Sequence, residues 1–259
     1  MKKNKNIIVI AGTIDARELI GKLLNNGFNV ISTVTTNFGK SLIEPKECLK
    51  VYEGKLSVEG MRLLIRAEDA KFIVDASHPF AVEVSRNAIQ ASKEEGICYI
   101  RYEREKACLD YAGIVKVRDF EVASNVISKM EGNIFLTIGS NNLGIFTQNI
   151  HNYKERLFVR VLPESDVISK CESLGLNSKN IIALKGPFTK NMNKEMIKYC
   201  NAKVIVTKDS GQRGGVIEKI EVAKDMGLPL ILIERPLVEY LNLVYSFDEV
   251  IDCIGRLEY

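Results

Sequence analysis

The chain has 259 residues, 46% of them apolar and 27% charged, and its 36 basic and 33 acidic side chains leave a formal charge of +3. That length suits one large domain or two of ordinary size, and the composition is that of a soluble globular protein. So small a charge, with no Lys/Arg run and no aromatic–basic stripe, argues against a nucleic-acid partner. The lysines of residues 1–6 resemble the start of an export signal, but Asp15 and Arg17 interrupt the apolar stretch behind them. No apolar run approaches the roughly 20 residues of a membrane span. The expected location is cytoplasmic, with no membrane partner.

In the first half, short buried strands are predicted at residues 7–10, 30–34, 72–74 and 98–100, with helical spacing at 16–24, 61–67 and 82–93. The second half has strands at 134–137, 158–161, 181–184, 204–206 and 230–233, and helices at 167–174, 194–199 and 217–224. This alternation predicts an α/β protein with parallel sheets and crossover helices. Six cysteines (Cys48, Cys98, Cys108, Cys171, Cys200, Cys253) form no CxxC pair and have neither His78 nor His151 nearby. Reduced, mostly buried thiols are expected, and no metal site.

The halves resemble each other. Ser92-Lys-Glu-Glu-Gly96-Ile-Cys-Tyr-Ile-Arg-Tyr-Glu103-Arg104 aligns without a gap on Ala223-Lys-Asp-Met-Gly227-Leu-Pro-Leu-Ile-Leu-Ile-Glu234-Arg235, at an offset of 131 residues. Each copy reads as a helix end, a terminating glycine, a buried strand and Glu-Arg. The same offset sets Ser77-His78 opposite Lys208-Asp209. Each half closes similarly, on Val117-Arg-Asp-Phe120 and on Tyr245-Ser-Phe247, with Ser246 and Glu249 forming a capping box. Two Rossmann-like parallel-sheet domains, related by internal duplication, are expected. Their boundaries would be 1–128 and 129–259, with residues 246–259 packing across. Parallel sheets bind ligands beyond their strand C-termini, so an interdomain cleft is the expected site.

Ala11-Gly12-Thr13-Ile-Asp15-Ala-Arg17 follows the first strand: Gly12 permits a tight turn, Thr13 or Asp15 can cap the helix, and Arg17 lies one turn in. This is not GxGxxG, and Thr33, Thr35 and Thr36 stand where an NAD ribose usually finds an acid. Gly12 and Thr13 remain candidates for part of a cofactor or an acidic substrate. Asp75-Ala-Ser77-His78-Pro79 leaves its strand abruptly, with Pro79 suited to a first helical turn. His78 is placed to donate a hydrogen bond, transfer a proton or cap the turn. Gly139, Ser140 and Asn141 follow another strand. Thr207-Lys208-Asp209-Ser210-Gly211-Gln-Arg213-Gly214-Gly215-Val-Ile-Glu218-Lys219 joins a β-branched strand to a helix through a basic glycine-rich bend suited to phosphates or carboxylates. Arg101, Arg104, Arg160, Lys185, Lys208 and Arg235 all fall near predicted strand ends, which points to a ligand with several carboxylates or phosphates. No Walker A, HExxH or Ser-His-Asp order occurs. A bound organic cofactor suits this chain better than a protein nucleophile.

Gly12-Thr13-x-Asp15-Ala-Arg17, Asp75-Ala-Ser-His-Pro-Phe80, Arg101-Tyr-Glu-Arg104, Thr137-Ile-Gly-Ser-Asn141, Arg160-Val-Leu-Pro163, Gly186-Pro-Phe188 and Thr207-Lys-Asp-Ser-Gly211 occur in that order. Together they resemble the precorrin-6A reductases of cobalamin biosynthesis, and especially the cobalt-precorrin-6A branch, from about residue 7 to residue 236. Glu105 stands where the family more often has proline. The resemblance implies a two-domain Rossmann-like oxidoreductase that reduces a contracted tetrapyrrole bearing many acetates and propionates. A nicotinamide cofactor, NADH or NADPH with NADH favoured for the cobalt branch, would deliver hydride to C19, and a proton would reach C18. Cofactor contacts are then expected from Gly12, Thr13, Gly139, Ser140, Asn141, Ser210, Gly211, Gly214, Gly215 and Lys219. Substrate contacts are expected from Arg17, Ser77, Arg101, Arg104, Arg160 and Arg235. Lys208, Asp209, His78 and Lys185 are the proton-donor candidates. Neighbouring pathway enzymes would be transient partners. The competing readings are a metal-free precorrin-6A reductase using NADPH and a non-catalytic two-lobed carrier of an acidic small molecule.

Overall fold

A computed structural model describes residues 5–105 and 111–257; Cys108 lies outside them. The chain forms two units, Met1–Arg104 with Leu237–Tyr259, and Glu105–Pro236. The first carries β1 (Asn6–Ile10), α1 (Ile14–Asn25), β2 (Asn29–Val34), α2 (Asn37–Ser41), β3 (Leu49–Glu53), α3 (Val58–Ala67), β4 (Ala70–Asp75), α4 (Val82–Glu95) and β5 (Cys98–Tyr102). The second continues with β6 (Ile114–Val117), α5 (Phe120–Ser128), β7 (Asn133–Leu136), α6 (Leu143–Asn149), α7 (Tyr153–Arg156), β8 (Leu157–Val161) and α8 (Ser165–Ser173). It ends with β9 (Ile181–Ala183), α9 (Lys190–Tyr199), β10 (Ala202–Lys208), α10 (Val216–Met226) and β11 (Leu230–Ile233). The chain then returns to the first unit as β12 (Leu243–Val244) and α11 (Phe247–Arg256).

Each unit holds a six-stranded parallel sheet, ordered β12-β5-β4-β1-β2-β3 and β6-β11-β10-β7-β8-β9. The orders correspond strand for strand, as a duplicated unit would give. The last strand and helix of each sequence half, however, serve the other sheet: β6 pairs with β11 and β12 with β5. The division expected at 128/129 is therefore displaced to 104/105 and 236/237. Pairing decides this, because Ile114–Val117 finds its backbone partners along Leu230–Ile233. Val250, Cys253 and Ile254 of α11 complete the apolar cluster under β1, β2 and α1. At about 1.5–3 kcal/mol per buried aliphatic side chain, the first unit depends on this returning helix.

Local signals behave as their chemistry dictates. Gly96 and Gly227 end α4 and α10 in the left-handed conformation, at φ 66° and 63°. Beyond them the Ile97 and Leu228 amides donate to Ser92 and Ala223, the same closing bond in both copies. Ser246 caps α11 by accepting from the Glu249 amide, while Glu249 reaches back to the Tyr245 amide, one residue earlier than a standard capping box. Pro79 lies in the turn ahead of α4 and not in its first turn. The strands β3, β6 and β12 were not expected; all three lie at sheet edges, where the apolar pattern is weak. Among the described residues no helix is long and apolar enough to cross a membrane.

Candidate functional site

In the first unit the strand C-termini gather two charge pairs. Asp75, at the end of β4, is paired in register with Arg101 of β5, and both are fully buried. The Asp75 carboxylate accepts from the Ser77 amide (2.9 Å), the Ser85 hydroxyl (2.6 Å) and the Tyr99 hydroxyl (2.7 Å), and pairs with Arg101 at 2.8 Å. Burial is the largest influence and works against the Arg101 charge, but Asp75, Tyr240, Tyr99 and Glu103 together outweigh it and the Arg101 pKa is raised. Burial first, and then the Asp75 charge, hold the Tyr99 hydroxyl protonated far above its usual range. Arg101 Nη1 also donates to the Ser77 hydroxyl at 3.1 Å, and its guanidinium lies 5.4 Å from the Tyr240 ring centroid.

Above this network Arg104 pairs with Asp15. Thr13 caps α1 by accepting from the Ala16 amide at 3.1 Å and donates to the Ala76 carbonyl at 3.0 Å. Asp15, Ser77, Arg101 and Arg104 help line a small pocket of about 10 Å³, the space of a single water. Arg17, part-exposed on α1, donates to the Thr13 carbonyl at 3.3 Å. His78 Nδ1 accepts from the Phe80 amide at 3.2 Å, the capping role among those open to it.

In the second unit the bend after β10 is held by its own polar groups. Asp209 accepts from the Gly211 amide at 3.2 Å, and Arg235 Nε reaches the Asp209 carbonyl at 3.3 Å and its carboxylate at 3.7 Å. Ser210 donates to the Gly214 carbonyl at 3.0 Å. Gly211 and Gly215 take φ of 76° and 72°, a region other residues avoid. Besides Arg213 within the bend and Arg235 against it, Arg160, Lys208 and Lys219 lie around it. Arg160 is 9% exposed, donates to the Asn193 amide oxygen at 2.7 Å and sits 3.9 Å over the Phe188 ring; burial lowers it to about 10. Burial lowers half-buried Lys208 to about 8. Lys219, 5% exposed on the first turn of α10, donates to the Gly215 carbonyl. Burial and then the Arg160 charge lower it to about 7.

Of the expected site residues, Asp209, Ser210, Gly211, Gly214 and Gly215 fall on one bend, between Lys208 at the end of β10 and Lys219 on the first turn of α10. Gly12 (φ 131°) and Gly139 (φ 76°) each turn the chain after a strand, and Ser140 and Asn141 precede α6. Arg101 is the clear departure. It is an interior partner of Asp75 and presents no donor to solvent, because the strand register sets the two side by side. Arg235 is likewise a strut of the 209–211 bend. Lys185 is exposed beyond β9. Sequence reasoning gave no role to Asp75, Ser85, Tyr99, Tyr240, Asn193 or Glu218. The one available signal was an aspartate closing an apolar strand; the rest depend on strand register and helix facing.

Parallel sheets whose C-terminal ends carry glycine bends and buried cations define a Rossmann-like α/β protein, the ligand-binding class in which sites form at those ends. Within that class the chain belongs to the precorrin-6x reductase CbiJ/CobK family, whose profile matches residues 6–255. It is 42% identical over 249 residues to the cobalt-precorrin-6A reductase of Priestia megaterium, covering 96% of this chain and 97% of that one. To the enzyme of that name from Salmonella typhimurium it is 32% identical over 233 residues, covering 89% and 88%. The solved structure described as CobK precorrin-6A reductase shares the fold with a TM-score of 0.79 at 25% identity, over 97% of this chain and 96% of that one. The protein is a reductase of this family.

Proposed function

We propose that this protein reduces cobalt-precorrin-6A to cobalt-precorrin-6B in cobalamin biosynthesis, drawing on NADH. The observation that carries the reading is the second unit's strand-end set: a left-handed glycine bend, the cations Lys208, Arg160 and Lys219, and a Glu218 carboxylate oxygen buried without a hydrogen-bond partner. These groups suit a nicotinamide dinucleotide. Backbone amides and cations match its phosphates, and the lone acceptor matches a hydroxyl or amide N–H. These residues would hold a reduced nicotinamide that would supply a hydride to macrocycle C19, with a proton going to C18.

The chain's own residues bind, orient and supply that proton. Lys208 is the favoured donor: burial brings its ammonium to about 8, near the operating pH where a general acid works best. Asp209 is held by the Gly211 amide and Arg235 and serves to fix the bend. His78 already accepts at Nδ1. In the first unit, Arg17, Ser77 and Arg104 are proposed to meet macrocycle carboxylates, with the buried Asp75–Arg101 pair holding the Ser77 turn in place.

Anaerobic single-turnover reduction tests this, with the macrocycle spectrum followed and NADH compared with NADPH. A spectral change coupled to NADH oxidation is expected. Turnover of metal-free precorrin-6A alone would reassign the substrate, and oxidation of NADPH alone would reassign the cofactor.

A further inference from the structure

Arg160 and Lys219 are buried cations that meet no carboxylate within ion-pair distance among the described residues. Arg160 is held by the Asn193 amide, the Met196 sulfur and the Phe188 ring, and Lys219 by the Gly215 carbonyl. They share a face of the sheet. Ile205, Phe135 and Phe158 form one row across β10, β7 and β8, packed against α9 and α10. Arg160 lies two residues beyond Phe158 on the same side, and Lys219 stands on α10, which covers it. Glu218 Oε2 is buried without a partner. A side chain beginning at Gly215 would meet Lys219 Nζ at 3.5 Å and Glu218 Oε2 at 3.8 Å. A bare stretch of backbone is thus flanked by a cation and by an unmatched acceptor.

A buried charge without a counter-ion is costly, and so is a buried acceptor without a donor. A ligand anion would complete the two cations, and a hydroxyl beside it would complete Glu218. That combination is a phosphorylated sugar, as at the ribose of a nucleotide. We propose that Arg160, Lys219 and Glu218 form one subsite for a sugar phosphate, with the cations on the phosphate and Glu218 on an adjacent hydroxyl, and that filling it draws a proton onto Lys219. This rests on the nicotinamide reading above and specifies which residues grip the nucleotide.

The field around Lys219 supports the second clause. Burial, Arg160 on β8 and Lys208 on β10 lower its pKa to about 7, and only Glu218 opposes them. Of the charged groups facing α10 from α9, Lys190 is paired with Glu221 and Asp225 further along the helix, and Lys194 acts on the same Asp225. A bound anion reverses the sign of that field. Above about pH 7 the empty site must therefore take up a proton to bind, and affinity falls as pH rises, by up to about tenfold per unit.

Calorimetric titration of the full chain with NADH and with NADPH at pH 7.5, in two buffers of different ionisation enthalpy, counts that proton. About three-quarters of Lys219 and a quarter of Lys208 are uncharged at that pH, so uptake above about half a proton per ligand is expected. Lys219→Arg keeps the cation but cannot titrate: spared the roughly fourfold cost of protonating Lys219 at this pH, affinity should hold or rise within about fivefold while uptake falls below about half a proton. Lys219→Met and Arg160→Met should each weaken binding by about 10- to 100-fold, and Glu218→Ala by about tenfold. Unchanged affinity in both methionine variants, or uptake that survives Lys219→Arg, overturns the subsite even where the cofactor binds and turns over. If neither nicotinamide binds but inorganic pyrophosphate does, with uptake abolished by Lys219→Arg, the cofactor reading falls and the subsite stands. Silence with all three ligands overturns both.

Discussion

Lys208 is where burial has the most direct chemical consequence. An ordinary lysine holds its proton to about pH 10.4, too tightly to deliver it readily near neutrality. Burial brings this one to about 8. If Lys208 supplies the proton for C18, the single-turnover rate should be flat through neutrality and fall on an alkaline limb at or above about pH 8, because a bound cofactor anion can only raise the value of the empty site. Lys208→Met should lower that rate by about 10²- to 10⁴-fold, the usual contribution of a positioned acid, and remove the alkaline limb. A stopped-flow pH series on both proteins checks it; full turnover in the variant would dismiss Lys208 as the donor. Arg101 carries the opposite lesson. Its place at a strand end marked it as a ligand contact, but β4–β5 register seats it on Asp75. Residues 26 apart become neighbours only through that pairing, which no local pattern encodes.

At the scale of the element, the clearest agreement is the pair of helix ends. Gly96 and Gly227 stand 131 residues apart and close their helices with the same bond. Neither has a neighbour that an added Cβ would meet, so substitution costs backbone strain alone. Gly96→Ala and Gly227→Ala should each destabilise the fold by about 1–2 kcal/mol, read as a shift of the denaturant midpoint at constant slope. A loss well below that for either would mean that its helix end refits without the left-handed turn. Central strands were legible because they are continuous apolar runs, and α1, α3, α4, α8, α9 and α10 because their apolar spacing and capping residues are local; α2, α5, α6 and α7 were not expected. Edge strands were not. In β3 the Lys50 and Glu53 side chains break the run, and β12 is only Leu243–Val244, too short to carry a period.

For the whole molecule, exchange of the terminal strand–helix pairs makes each unit discontinuous in the chain. A fragment of residues 1–128 matches the apparent repeat but lacks Val244, Val250, Cys253 and Ile254, which close the first unit's core. It carries instead β6, whose partner β11 it does not contain. Residues 1–104 joined through a flexible linker to 237–259 should unfold cooperatively on heating, whereas 1–128 should show no cooperative transition. Equal cooperativity in both would mean that β12 and α11 are dispensable. By itself, the sequence determined the α/β class, the central strands, the helix ends and the basic glycine bend after β10, because each is written in neighbouring residues. Tertiary structure alone decided which sheet each terminal strand joins, that Arg101 turns inward to Asp75, and that Arg160 and Lys219 share a face with no carboxylate at ion-pair distance among the described residues. Those outcomes depend on hydrogen-bond register between distant strands and on which helix covers which face, and both are settled only when the chain packs.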